Sequence, residues 1–282
     1  MSGPPLRITS LKNDLVKDLV RLRHRRDRDQ AAVTIIEEPL VIGQALQAKY
    51  PLHTVYFCPE QVADKDRPLL DELLNLCAVT HEDGLLAVEL APQVMDRVSY
   101  REKSEGILIV APQVRTDLES LATKSEHNQP ALLVVLEGVE KPGNLGAALR
   151  VADGAGADGV IICGGGTDLF NPNVLRASRG SFFSVPSVTA ESEAVVEYLH
   201  QQGIQMVAAS PIADHHWDEV DLTGPVAIVL GAEHDGLSPA LMSRCDLTVG
   251  IPMRGTGDSL NVSTSAAILL YEAVRQRRRQ KI

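Results

Sequence analysis

A chain of 282 residues with 44% apolar side chains is long enough for one large α/β domain or two smaller ones, each with a buried core. No apolar run approaches the about 18 residues of a membrane helix, and MSGPPLRITS has neither the basic start nor the apolar run of a signal peptide, so a soluble cytoplasmic protein is expected. A formal net charge of −10 confines any nucleic-acid contact to local basic patches, because phosphate binding rests on Lys and Arg.

In chain order, residues 8–24 read as a helix, with Leu11, Leu15, Leu19 and Leu22 at helical spacing. A short buried strand follows at 32–36, a helix at 38–49, a strand at 55–58 and a helix at 68–77. Residues 78–80 have strand character, the stretch to about 98 is mostly helical, and a strand at 106–110 closes the first unit near Gln113. Residues 114–129 are polar and end at Pro130, which marks a linker. Beyond it lie an apolar strand at 131–136, a helix at 143–154, a strand at 160–163, a short helix at 172–177 and a short strand at 182–185. A helix at 191–202, strands at 204–209 and 226–230, a helical turn at 239–243, a strand at 247–249 and a helix at 260–279 complete the chain. The alternation of strands and helices predicts α/β layers, and the fully apolar strands predict a parallel sheet in the second unit.

Ligands in parallel α/β sheets bind where loops leave the carboxyl ends of the strands. Three glycine-bearing loops of the second unit stand at such places: residues 137–144, running into the helix that carries Arg150; residues 231–238; and residues 251–261. The third is long for a βα connection, and its helix opens on Asn261, Ser263, Thr264 and Ser265, with Ser259 or Asn261 able to cap the first turn. Gly164-Gly165-Gly166 lacks the further glycine and the helix of a dinucleotide fingerprint, and GxxxxGK[ST] is absent. Cys58, Cys77, Cys163 and Cys245 lack CxxC spacing, and His215-His216 are adjacent, so neither a disulfide framework nor a metal site is indicated. Arg21, Arg23, Arg25, Arg26 and Arg28 crowd eight positions and repel one another unless an anion or an acidic surface neutralises them, which favours anion binding. The basic C-terminal tail reads as a solvated helix end that suits the helix dipole.

Asn144 to Arg150, then Leu230 to Ser238, then Ile251 to Met253 with Ser259 to Ser263, resemble in order and spacing the three motifs of the SpoU family, RNA 2′-O-ribose methyltransferases of the SPOUT superfamily. The resemblance covers roughly the last 150 residues. Residues 1–113 are less closely similar to the substrate-binding domain, like ribosomal protein L30e, that many members carry; Val33 to Glu38 stand where such domains have a strand ending in Glu-Gly, with Glu38 in place of the glycine. The resemblance implies a smaller L30e-like α/β domain at 1–113, a linker at 114–129, and a catalytic parallel-sheet domain at 130–282 whose C-terminal segment forms a deep trefoil knot. It implies S-adenosylmethionine as cofactor, RNA as partner and a homodimer.

By the same resemblance, Leu230, Gly231, Ile251, Met253 and Leu260 hold the cofactor, and Arg150, Asn144, Glu233, Ser259 and Asn261 are catalytic. Arg176 and Ser178, in LRASRGS, match an R-x-S-x-G element that contacts RNA, beside Arg21, Arg23, Arg25, Arg26 and Arg28. The family arginine is proposed there as general base; a guanidinium is not readily deprotonated, so positioning a phosphate and stabilising developing alkoxide charge is the physically easier role. Ala232 departs from the Asn or Ser common at its position. The favoured function is a 2′-O-methyltransferase acting on 23S ribosomal RNA; a transfer-RNA enzyme of the same chemistry, and a non-catalytic RNA-binding or ribosome-assembly protein, are the alternatives.

Overall fold

The computed structural model describes residues 5–79, 85–121, 129–233 and 235–279. It contains two compact units, residues 1–114 with 170–183, and residues 115–169 with 184–282.

The first unit is built from β1 (Leu6–Ile8), α1 (Asp14–Arg21), α2 (Arg25–Ala31), β2 (Val33–Ile36), α3 (Pro39–Gln47), β3 (Thr54–Phe57), α4 (Arg67–Val79), β4 (Leu86–Leu90), α5 (Pro92–Val98) and β5 (Ile107–Pro112). Its mixed sheet has the order β1-β4-β3-β5-β2, with β5 antiparallel to both neighbours. The expected helix over 8–24 is instead a strand, a capped helix and a break. Asn13 opens α1 by accepting from the Leu15 N–H at 2.9 Å. Arg28 closes it, its Nη1 donating to the carbonyls of Leu22 and Arg23 at 2.9 Å each.

Two further expectations fail here. Residues 78 and 79 continue α4, since no stop signal interrupts its run of helix formers, and position 80 lies outside the described residues. The stretch expected to be helical before Val98 contains β4, whose LAVEL favours helix in isolation; pairing with β1 on one side and β3 on the other overrides that preference.

Residues 170–183 hold α7 (Pro172–Ser178) and the start of α8 (Ser181–Ser184), and they pack within the first unit. The buried Thr34 hydroxyl donates to the Phe170 carbonyl at 2.7 Å, and Phe182 and Phe183 meet the Tyr50 ring at centroid distances of 6.2 and 5.0 Å. The strand expected at 182–185 is therefore mostly helix. A Cβ on Gly180, at φ +102°, would lie 2.5 Å from Gln44, and that left-handed turn starts the new helix.

The second unit contains β6 (Leu132–Glu137), α6 (Pro142–Ala155), β7 (Gly159–Cys163), β8 (Ser187–Thr189), α9 (Ser192–Gln201), β9 (Gln205–Ala209), β10 (His215–His216), β11 (Val226–Leu230), α10 (Pro239–Met242), β12 (Leu247–Gly250) and α11 (Val262–Arg279). Its sheet has the order β10-β12-β9-β11-β6-β7-β8, and every pairing is parallel. Strands β6, β7 and β11 are buried along their whole length, the signature of an interior parallel strand. The polar stretch expected as linker carries a short helical turn, with Leu118 and Leu121 inside the core of this unit; its residues 122–128 lie outside the described residues.

Parallel topology has a direct consequence for the site. The carboxyl ends of β6, β9, β11 and β12 point the same way, so the loops leaving them share one edge of the sheet.

Candidate active site

Apolar side chains end β11 at Leu230 and leave β12 at Ile251, and the chain then turns through residues that neither continue a strand nor begin a helix until Val262. Between these two loops lies an open cleft of about 610 Å³, within the range of small-molecule sites. Leu230, Gly231, Ile251, Met253 and Leu260, the five residues expected to hold a cofactor, all line it. Glu233 and Ser259 line it too, with Asp235 and Asp258, so the apolar walls carry a distinctly acidic rim.

The loop after β11 is folded hard onto itself. Ala232 and Gly236 exchange backbone N–H to carbonyl bonds at 3.1 Å each way, and a Cβ on Gly231 would lie 2.1 Å from the Gly236 carbonyl carbon. Only glycine fits at 231. Ala232, the departure from the family pattern, stands 3.6 Å from where a Cβ on Gly138 would lie, so its methyl fills the space beside β6.

Three loops are joined by one chain of side-chain hydrogen bonds. Asn144 Nδ2 donates to Glu233 Oε1, Asn261 Nδ2 donates to Asn144 Oδ1 at 2.9 Å, and Asn261 Oδ1 accepts from the N–H of Ser263 at 2.9 Å and from its hydroxyl at 2.7 Å. The direction of this chain is fixed by chemistry. An ionised carboxylate only accepts, so Asn144 must turn its amide nitrogen toward Glu233 and its oxygen toward Asn261. Asn261 in turn must offer nitrogen to Asn144 and oxygen to the open N–H groups at the head of α11.

Other expected site residues are placed differently. Arg150 is exposed on α6 and is not among the residues lining the cleft. Arg176 is exposed near the end of α7, but Ser178 is buried and its hydroxyl donates to the Leu175 carbonyl at 2.7 Å, which removes it from RNA contact. The basic cluster also needs correction. Arg28 is 1% exposed and caps α1, and Arg23 donates to the carbonyls of Arg97 and Ser99, so both are structural. Arg21, Arg25 and Arg26 remain on the surface, Arg21 and Arg25 with Asp18 and Asp29 as neighbours at 3.4 Å. Mutual repulsion is thus relieved by carbonyls and carboxylates of the chain itself.

Sequence reasoning missed a fourth loop. Ala209, Ser210 and Pro211, leaving β9, line the cleft. Their signal was present: a buried strand followed by Ser-Pro at the same sheet edge. Among the described residues no group of three or more His, Cys, Asp or Glu side chains is placed to hold a metal ion, and no helix is long and apolar enough to cross a membrane.

Comparison with known proteins adds to this geometry. Residues 131–271 match the model of the SpoU rRNA Methylase family, and residues 13–109 match an MRM3-like substrate binding domain. The chain is 31% identical over 279 residues to a 23S rRNA (uridine(2479)-2′-O)-methyltransferase of Streptomyces viridochromogenes, covering 96% of this chain and 92% of the relative. A crystal structure of an RNA 2′-O ribose methyltransferase superposes with a TM-score of 0.79 at 38% identity, over 96% of this chain and 99% of that one. An AdoMet-bound rRNA methyltransferase from Sinorhizobium meliloti superposes with a TM-score of 0.84 at 28% identity, over 97% and 98%.

Proposed function

Because the chain belongs to the SpoU family of rRNA methylases, we propose that it is an S-adenosylmethionine-dependent RNA 2′-O-ribose methyltransferase acting on 23S ribosomal RNA. The observation that carries this reading is the hydrogen-bonded series Glu233, Asn144, Asn261, which ties three loops together beside an apolar cleft with acidic groups at its rim.

The residues present fit the methyl donor. Leu230, Ile251, Met253 and Leu260 offer apolar surface for a purine, the tight Gly231 turn offers backbone groups, and Glu233, Asp235 and Asp258 suit a ligand with positive charge. S-adenosylmethionine supplies a methyl group on a sulfonium centre, ready for in-line displacement. What remains for the chain is to hold a ribose 2′-oxygen opposite the sulfur and to stabilise the charge that develops on it as the 2′-hydroxyl proton leaves to water in the open cleft. We assign Asn144, Ser259 and Asn261 to orienting the ribose. Glu233 fixes Asn144 and balances positive charge. Arg150, exposed on α6, grips an RNA phosphate and stabilises the developing alkoxide.

Residues 1–113 are assigned as the RNA-binding domain, supported by the substrate-binding match at 13–109, with Arg21, Arg25, Arg26 and Arg176 as contacts. In the second unit α11 follows β12 yet packs on α6 and β11, beyond β9 in the sheet; this return supports the deep knot that the family resemblance implies. A homodimer is supported by the exposed Tyr271 on α11 and by an Arg150 that stands outside the cleft lining of its own chain. On the same helix Leu269 is core, while Ile268 and Val274 are half-buried. The enzyme is placed in the cytoplasm with its ribosomal substrate.

The test is calorimetric titration with S-adenosylmethionine, followed by radiolabelled methyl transfer to bulk ribosomal and transfer RNA and mapping of 2′-O-methyl positions. Saturable binding with label in 23S RNA is expected. Binding without transfer to any RNA would instead identify a non-catalytic RNA-binding protein, and label confined to transfer RNA would reassign the substrate.

A further inference from the structure

Glu137 ends β6, a strand whose other residues are Leu132, Leu133, Val134, Val135 and Leu136, and it is only 7% exposed. A carboxyl group at such a place costs desolvation unless its oxygens are matched by donors. They are matched, and the two short bonds come from one distant residue. Oε2 accepts from the backbone N–H of Ser238 at 2.7 Å and Oε1 from the Ser238 hydroxyl at 2.8 Å, across 101 positions of sequence, with the Ser192 hydroxyl at 3.5 Å.

Ser238 is the last residue of the loop that leaves β11 and walls the cleft with Gly231, Ala232, Glu233, Asp235, Gly236 and Leu237. The near end of that loop is held by its own backbone, through the Ala232 and Gly236 exchange. Its far end is tied through Ser238, whose carbonyl accepts from the Met242 N–H at 2.9 Å. There the Ser238 hydroxyl, besides donating to Glu137, accepts from the Leu241 N–H at 3.2 Å and so starts α10. The carboxylate is itself confined, since a Cβ on Gly164, at φ +67°, would lie 2.6 Å from Glu137 Cγ.

We propose that Glu137 is a positioning residue for the methyl-donor site: by gripping Ser238 with both oxygens it fixes the far end of the 231–238 loop, and with it the acidic wall that carries Glu233 and Asp235. This rests on the S-adenosylmethionine reading above. A group with this role acts first on donor binding and reaches the reacting atoms only indirectly, through Glu233 and its bond to Asn144.

The test measures the S-adenosylmethionine Kd by calorimetry, the KM for donor and for RNA, kcat and urea stability in the full chain and three variants. Glu137→Gln keeps a carbonyl for the Ser238 N–H and offers an amide to the Ser238 hydroxyl, so its Kd should stay within about threefold of wild type. Glu137→Leu should raise the donor Kd and KM about tenfold or more, with a smaller loss in kcat at saturating donor and the RNA KM within about threefold. Ser238→Ala, which keeps the backbone donor, should fall between. Unchanged donor binding in Glu137→Leu, or equal losses in kcat and both KM values, would overturn the proposal. Should Glu137→Leu fail to fold, Ser238→Ala decides by the same two criteria. A wild type that does not bind S-adenosylmethionine would remove the methyltransferase reading and this inference with it, whereas a binding wild type with indifferent variants removes only the inference.

Discussion

Asn261 donates from Nδ2 to Oδ1 of Asn144 at 2.9 Å, joining the head of α11 to the first turn of α6 across 117 positions of sequence. Since Asn144 is bonded to Glu233 on its other side, the three side chains form one unit, and groups that act as a unit give non-additive losses. Asn144→Ala and Asn261→Ala should each lower methyl transfer by about ten- to a hundredfold, and the double variant should lose little more than the worse single one. Losses that multiply in the double variant would mean that the two residues act independently.

Arg150 stands apart from that unit. It is exposed and does not line the cleft, so truncating it leaves the donor walls intact. Arg150→Ala should therefore bind S-adenosylmethionine with unchanged Kd while losing methyl transfer by about a hundredfold or more. Arg150→Lys keeps the charge without the planar fork and should recover only part of the rate. Retained activity in Arg150→Ala would remove the residue from the mechanism.

How legible these features were in the sequence depended on how local their causes are. The alternation of apolar strands and helices was enough to give a parallel second sheet, and with it the common edge where 231–238 and 251–261 meet; all five expected cofactor residues line the cleft there. Long-range partners were not legible. Arg28 and Arg23 look like free charge in a basic run, yet carbonyls at the end of α1 and at residues 97 and 99 take them up. β4 reads as helix because its pairing with β1 and β3 is invisible to local propensity. Nothing local says that 170–183 packs with the first unit, because Thr34 and Tyr50, which hold it, lie more than a hundred positions away.

Glycine offers a sharp contrast between two sites. At Gly231 any Cβ collides with backbone at 2.1 Å, an obstacle that side-chain motion cannot relieve, whereas at Gly43 in α3 nothing lies within 4 Å. Gly231→Ala should abolish S-adenosylmethionine binding and lower the urea midpoint. Gly43→Ala should stabilise the protein by about 0.5–1 kcal/mol through helix propensity alone. Normal cofactor binding by Gly231→Ala would show that the loop can open without cost.

The basic tail, expected to be a solvated helix end, contains a structural member. Arg277 is buried and donates to the carbonyls of Pro130, Ala131, Leu222 and Gly224 at 2.7 to 3.2 Å, fastening α11 to the starts of β6 and β11. Burial lowers its pKa from the ordinary arginine value, the mark of a charge held away from water. Arg277→Met would leave several carbonyls without a donor and should cost about 2–4 kcal/mol in urea unfolding. Arg278→Met, exposed one position on, should cost less than about 0.5 kcal/mol. Equal effects at the two positions would contradict the assignment.

Two glutamates, buried Glu272 and half-buried Glu37, give stability opposite dependences on pH. Glu272 accepts from Arg275 Nε at 2.7 Å and from Gln276 Nε2 at 2.8 Å, and the Arg275 bond is the main reason its pKa lies below the ordinary 4.5. Between that lowered value and 4.5 the unfolded chain binds more protons, so this contribution is complete above 4.5 and is lost as pH falls through the folded pKa. Glu37 is raised above 4.5, chiefly by burial, against the opposing hydrogen bond from the Tyr100 N–H. There the folded chain binds more protons, so stability falls as pH rises from 4.5 through the raised value. Urea midpoints taken from about pH 2 to 8 should show Glu272→Gln losing stability relative to wild type at pH 7 and converging on it below the folded pKa of Glu272. Glu37→Gln keeps an oxygen for Tyr100 without the buried charge, so it should gain on wild type as pH rises above 4.5. Parallel midpoint curves for the two variants would contradict both assignments.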